Sequence, residues 1–150
     1  MRAPSSTLVV DAAVLVAAAR GRSSGAILEA ARAATLVATD QVVHEARRRI
    51  ELGLGRPDLV AIVDALVAEM TIVPVAALTP LLEKSEVALR EAVASRNGSI
   101  RDAHVLALAW SLDADIWTTD RDFAGTGVAT WSTPNLVRGL AEARGARAWS

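Results

Sequence analysis

The chain has no cysteine, which excludes both disulfide cross-links and thiolate metal sites. A protein built this way is indifferent to redox state and fits a reducing cytoplasm. Aromatic residues are almost as scarce, comprising Phe123 and four tryptophans. Core volume must therefore come from Leu, Val and Ile, with Ala allowing close helix packing. Long apolar runs are missing too. The stretch from Leu8 to Ala19 superficially looks like a leader segment, but Asp11 interrupts it and leaves Ala12–Ala19 as its longest unbroken piece. A membrane span needs about 20 apolar residues, so the segment reads as mature protein and no membrane association is expected. Charge of one sign is also lacking. The formal net charge is -1, so composition alone does not announce a nucleic-acid binder. Of the 16 basic residues only Lys84 is not arginine. Arg47, Arg48 and Arg49 form the densest group, suited to phosphate contacts, although a short basic cluster on a helix is more often a solvated face.

What is present describes a globular domain. Hydrophobic residues make up 52% of the 150, and charged residues 22%. Residues 1–150 read as a single domain without repeat, linker or low-complexity tract. Leu8–Val10 predicts a short buried strand and Ala12–Ala19 a helix that Gly21 ends. Ser23 or Ser24 caps a second helix to about Ala33, and Thr35–Ala38 is a second strand. Asp40 is placed as the cap of a helix with Val42, Val43, Ala46 and Ile50 on one face. Gly53 and Gly55 break that pattern. Pro57 and Asp58 start another helix, where Leu59, Val60, Ile62, Val63, Leu66, Val67 and Met70 recur at helical spacing. Thr71–Val75 is the third strand, followed by a helix over about Pro80–Ser95 that Asn97-Gly98 closes. Ser99 opens the next helix, with Val105, Leu106, Leu108, Ala109 and Leu112 on its buried side. Ile116–Thr119 and Val128–Trp131 are the last strands, and Thr133-Pro134 begins a helix to about Ala143. Alternating strands and helices predict an α/β protein: a three-layer α/β/α sandwich around a mainly parallel sheet of four to five strands.

In such a sheet the binding crevice lies beyond the carboxyl ends of the strands. Asp11 follows the first strand and Asp120 the fourth. Asp102 sits in the first turn of the helix before the fourth strand. That helix covers roughly 18 Å, and the strand returns over about 13 Å, so Asp102 and Asp120 come back to one edge. Glu45 lies in the second turn of a helix leaving the same edge. Four converging carboxylates repel one another, and a bound divalent cation resolves the repulsion. Oxygen-only ligands favour Mg²⁺ or Mn²⁺. Such a site suits phosphodiester hydrolysis, in which metal polarises the phosphoryl group and a carboxylate accepts a proton from the attacking water. Each acid also has a plainer reading. Asp102 after Ser99 resembles a capping box, Asp120 a turn residue and Glu45 an exposed helix acid. Asp11 is hardest to dismiss, because an unpaired charge between two apolar runs is costly.

The chain resembles the PIN-domain ribonucleases, especially toxins of the VapC type, over nearly its whole length. The motifs are Leu8-Val9-Val10-Asp11; Thr39-Asp40-Gln41-Val42-Val43-His44-Glu45; Arg101-Asp102-Ala103-His104-Val105-Leu106-Ala107-Leu108-Ala109; and Ile116-Trp117-Thr118-Thr119-Asp120-Arg121-Asp122-Phe123. The resemblance implies that Asp11, Glu45, Asp102 and Asp120 are the catalytic acids binding Mg²⁺ or Mn²⁺. It adds Asp122 as a second-tier metal ligand and Thr119 as a supporting hydroxyl. Many relatives carry a small polar residue two positions after the first aspartate, where this chain has Ala13, so a polar contact to the ligand shell is expected to be missing there. His44 and His104 neighbour key acids but lie off their helical faces, which favours structural or substrate-contact roles. Trp110 and Trp117 fall in apolar core patterns, and Gly125-Thr126-Gly127 is a turn.

The implied function is a cytoplasmic, metal-dependent endoribonuclease that hydrolyses RNA and serves as the toxin of a toxin–antitoxin module. A small antitoxin is the implied protein partner. The apolar helices around residues 42–70 offer a surface for that antitoxin or for a homodimer. Two alternatives carry the same fold: a housekeeping RNA-processing nuclease without an antitoxin, and an inactive RNA-binding or assembly module. A phospho-accepting receiver domain is disfavoured, because Lys84 does not follow the fifth strand.

Overall fold

The computed structural model describes residues 2–22, 24–91, 102–119, 123 and 126–148. In chain order the elements are β1 (Thr7–Val10), α1 (Ala12–Ala19), α2 (Ser24–Ala33), β2 (Thr35–Thr39), α3 (Asp40–Arg48) and α4 (Val60–Val67). They continue with β3 (Thr71–Val73), α5 (Thr79–Glu91), α6 (Ala103–Leu112), β4 (Asp115–Trp117), β5 (Thr130–Trp131) and α7 (Thr133–Ala148). A π-helical turn at Arg49–Gly53 extends α3, and 3-10 turns at Pro57–Leu59 and Val75–Leu78 precede α4 and α5.

The five strands form one parallel sheet in the order β3-β2-β1-β4-β5. β1 lies at its centre and is buried from Leu8 to Val10, as a strand covered on both faces must be. The order reverses at β1: successive strands β2 and β3 build outward on one side, while β4 and β5 build on the other. Right-handed crossovers therefore place the two helix sets on opposite faces. α1, α3 and α4 pack on one another, whereas α5 pairs with α6 and α6 lies on β1 and β2. This is the expected α/β/α sandwich. It also puts a topological switch point between β1 and β4, where crevices form in such sheets.

Most elements lie where the sequence places them, and the differences have local causes. α3 is capped by Thr39, whose Oγ1 accepts the Val42 N–H at 3.0 Å, and not by Asp40. Asp40 is the first helical residue, and its Oδ1 accepts the Val75 N–H at 2.9 Å. β3 stops at Val73 because Pro74 has no N–H to continue the ladder. α7 runs five residues beyond the expected Ala143, since the Gly145 position does not terminate it. Leu112, expected on the buried side of its helix, is 43% exposed at the end of α6, and Ile62 of the α4 apolar pattern is 41% exposed. α6 is otherwise buried on every side from Ala103 to Ala109. Ser99, Asn97-Gly98 and the end of the α5 prediction lie outside the described residues.

At the amino end of β4, Asp115 is buried and holds the start of the chain. Its Oδ1 accepts from Arg2 Nη2 at 2.9 Å, and its Oδ2 accepts from Ser5 N at 3.0 Å and Trp131 Nε1 at 2.9 Å. α7 closes over this corner. A Cβ at Gly139 would lie 3.1 Å from both the Pro4 ring and the Trp131 indole, so glycine permits the approach.

Candidate active site

The pairing register builds the candidate site. Val10 of β1 lies beside Trp117 of β4, so the next residues, Asp11 and Thr118, come level at the carboxyl edge. Val9 pairs with Val37 of β2, and extending that register brings Thr39 level with Asp11 on the other side. Three polar side chains thus form a row at the switch point, and all three are buried.

Asp11 has extended backbone, φ -85° and ψ 157°, and caps α1. Its Oδ1 accepts the Ala12 N–H at 2.7 Å, and its Oδ2 accepts the Thr118 hydroxyl at 2.8 Å. Its own N–H donates to the Trp117 carbonyl at 3.1 Å. The carboxylate is held by one bond from its own helix start and another from the neighbouring strand end, which fixes its orientation at the crevice. Charge-assisted bonds of this kind are what make burying a carboxylate tolerable.

α6 descends toward the same edge. Its cap residue, Asp102, is half-buried. Two residues on, His104 Nδ1 lies 2.8 Å from Thr39 Oγ1, a buried hydrogen bond that ties the start of α6 to the end of β2. Since Thr39 also caps α3, one hydroxyl joins the helix that carries Glu45 to the helix that Asp102 opens. His104 Nε2 is buried without a hydrogen-bond partner among the described residues. Burial pushes the imidazole pKa down to about 4, only partly opposed by the Asp40 carboxylate. The ring is therefore neutral at pH 7 and acts as an internal tie, which is the structural one of the two roles left open for it.

Glu45 is in the second turn of α3, half-exposed, and its Oε1 pairs with Arg49 Nη2 at 2.9 Å. It lines a cavity of about 560 Å³ with Gln41, His44, Arg48, Arg49 and Leu52. His44 shares that cavity with Glu45, although the two are about 100° apart around the helix.

Of the expected acids, Asp11 and the start of α6 at Asp102 are placed at the carboxyl edge, and Glu45 is on the helix leaving it. Asp120 and Asp122 lie outside the described residues. Among the described residues, no three His, Asp or Glu side chains come close enough to hold one metal ion. The hydroxyl on the Asp11 carboxylate belongs to Thr118, whereas Thr119 is exposed. Thr118 also supplies a polar contact to the first aspartate despite Ala13. Sequence reasoning missed the role of Thr118 and the hydrogen bond that joins Thr39 to His104. The usable signal for Thr118 was register, because it is the first residue past β4 beside the first residue past β1.

A family model for the PIN domain matches residues 9–141, and the chain belongs to that family of nucleases. No curated protein matches the chain. Among solved structures, PAE2754 from Pyrobaculum aerophilum is 18% identical with a TM-score of 0.62, covering 91% of this chain and 96% of its own. VapBC2 from Rickettsia felis, bound to a DNA fragment from its promoter, is 12% identical with a TM-score of 0.69, covering 84% and 98%. VapC20 from Mycobacterium tuberculosis, described as a sarcin-ricin loop cleaving toxin, is 18% identical with a TM-score of 0.63, covering 81% and 96%. At these identities the likeness establishes the fold. Among the described residues, no helix is long and apolar enough to cross a membrane.

Proposed function

We propose that this PIN domain is an endoribonuclease dependent on Mg²⁺ or Mn²⁺, and the toxin of a toxin–antitoxin pair. The observation that carries the reading is the buried Asp11 carboxylate at the switch point, oriented by Thr118 and the Ala12 N–H. The same carboxylate caps α1, and it stands at the crevice where the strand order reverses. The donor chemistry fits a hard cation, since carboxylate oxygens are present and the chain has no thiol. Asp11, Asp102 and Asp120 would hold the ion, with Glu45 joining once it exchanges its Arg49 partner and Asp122 in support. When bound, the cation supplies phosphoryl polarisation and an acidified water. The chain's own part is to fix the carboxylates: Thr118 orients Asp11, and the Thr39–His104 bond holds α6 against the edge. One of the carboxylates takes the proton from water. Thr119, exposed beside Thr118, is the remaining candidate for contact with water or substrate.

The toxin assignment draws support from the toxin and antitoxin complexes among the structural neighbours. A small antitoxin, or a second copy of the chain, would cover the exposed apolar side chains Leu54 and Ile62 within the 42–70 stretch. The deciding experiment is cleavage of RNA by purified protein with and without Mn²⁺. Asp11→Asn and Asp102→Asn should each reduce the rate on the order of a hundredfold or more. Cleavage at the wild-type rate by Asp102→Asn would sink the mechanism. Growth arrest on expression, relieved by the product of an adjoining reading frame, tests the toxin role separately.

A further inference from the structure

Three successive guanidinium groups, Arg47, Arg48 and Arg49, stand at the end of α3. Crowded like charges repel, and two of the three are neutralised within the fold. Arg47 pairs with Asp64 of α4 at 3.2 Å, and Arg49 reaches back one turn to Glu45 at 2.9 Å. Arg48 has no acidic partner among the described residues. It is not simply a solvated side chain on a convex face, because it lines the cavity of about 560 Å³ that Glu45 also lines. Gln41, His44 and Arg48 recur at spacings of three and four, so they share one side of the helix. Apart from the paired Glu45, every polar group in that trough can offer a donor: an amide, an imidazole and two guanidiniums. While Glu45 and Arg49 pair, Arg48 is the guanidinium of the trough that lacks an acid among the described residues.

Resting on the ribonuclease reading above, we infer that Arg48, flanked by His44 and Gln41, binds the backbone phosphates of the RNA strand beside the candidate active site. A guanidinium presents a planar fork of donors that matches two phosphate oxygens, and an Arg free of internal carboxylates can offer the whole fork. Such a contact positions the strand without reading its sequence. Glu45 is common to the groove and the candidate acid set, so a strand held at Arg48 leads to the acids.

The test is fluorescence anisotropy with a labelled single-stranded RNA, using full-length Asp102→Asn protein to prevent cleavage. Adding Arg48→Ala should weaken binding on the order of fivefold in low salt and reduce the slope of log affinity against log salt by about 0.7. The loss should be the same for RNAs of different sequence. Arg48→Lys should retain most of the slope while losing part of the affinity. Arg90→Ala, on the exposed side of α5, should change neither. In the cleaving protein, Arg48→Ala should raise KM and leave kcat within about twofold. Cleavage by wild type together with unchanged affinity and salt slope in Arg48→Ala overturns this inference alone. Wild-type protein that neither binds nor cleaves RNA overturns both it and the ribonuclease reading.

Discussion

His104 shows how a single side chain couples burial to pH. In the unfolded chain an imidazole titrates near 6.5, while in the fold burial lowers its pKa to about 4. The native state therefore resists a proton that the unfolded state accepts below pH 6.5. Stability is intact above that pH and falls between about 6.5 and 4, by roughly 3 kcal/mol in all. Urea unfolding of wild type and His104→Asn at pH 7 and pH 5 measures this: the decline should flatten in the variant, and equal declines would refute it. The residue scale is also where the sequence was least legible. Thr118 and Thr119 are adjacent and chemically identical, but only Thr118 donates to Asp11, because the β1–β4 register selects it. Asp40 and Thr39 are both good capping residues, and backbone geometry chose Thr39.

At the scale of elements, the acid within β4 lies at the amino end of the strand, away from the candidate site. Asp115, at the amino end, pairs in register with Leu8, three residues before Asp11, so it lies away from the carboxyl edge. Its three donors make it a clasp joining the first residues of the chain to Trp131. Asp115→Ala would leave the Trp131 N–H without its buried acceptor, at an expected loss of about 2–3 kcal/mol in chemical denaturation. RNA cleavage at temperatures where the variant stays folded should remain near wild type, whereas Asp102→Asn should lose cleavage and keep its stability. If Asp115→Ala abolished cleavage in folded protein, this division of roles would fail. Most elements were readable from hydrophobic runs and from Gly, Ser and Pro punctuation. Their ends were not, because Pro74 and the capping competition at Thr39 act through hydrogen bonds that composition does not reveal.

For the whole molecule, a cation held by Asp11, Asp102 and Asp120 would link parts distant in sequence. Ligand binding to the folded state alone stabilises it by about 2.7 kcal/mol at a hundredfold excess over Kd. On the proposed reading, Mn²⁺ raises the melting temperature of wild type by several degrees and leaves Asp11→Asn unmoved. An equal rise in both would place the ion elsewhere. The arginine cluster at the end of α3 belongs to this scale too, since Arg47 takes its acid, Asp64, from another helix.

The sequence alone determined the α/β architecture, the buried first strand and Asp11 as a charge between two apolar runs. Alternating apolar segments and their punctuation carry that information locally. Tertiary structure decided which hydroxyl holds Asp11, which threonine joins α3 to α6, and which of three arginines has no acid among the described residues. Those outcomes depend on strand register and helix packing, which bring together residues as far apart as Asp11 and Thr118 and are set by the fold as a whole. Asp11, first conspicuous as a charge between two apolar runs, is in the folded protein the oriented carboxylate at the sheet's switch point.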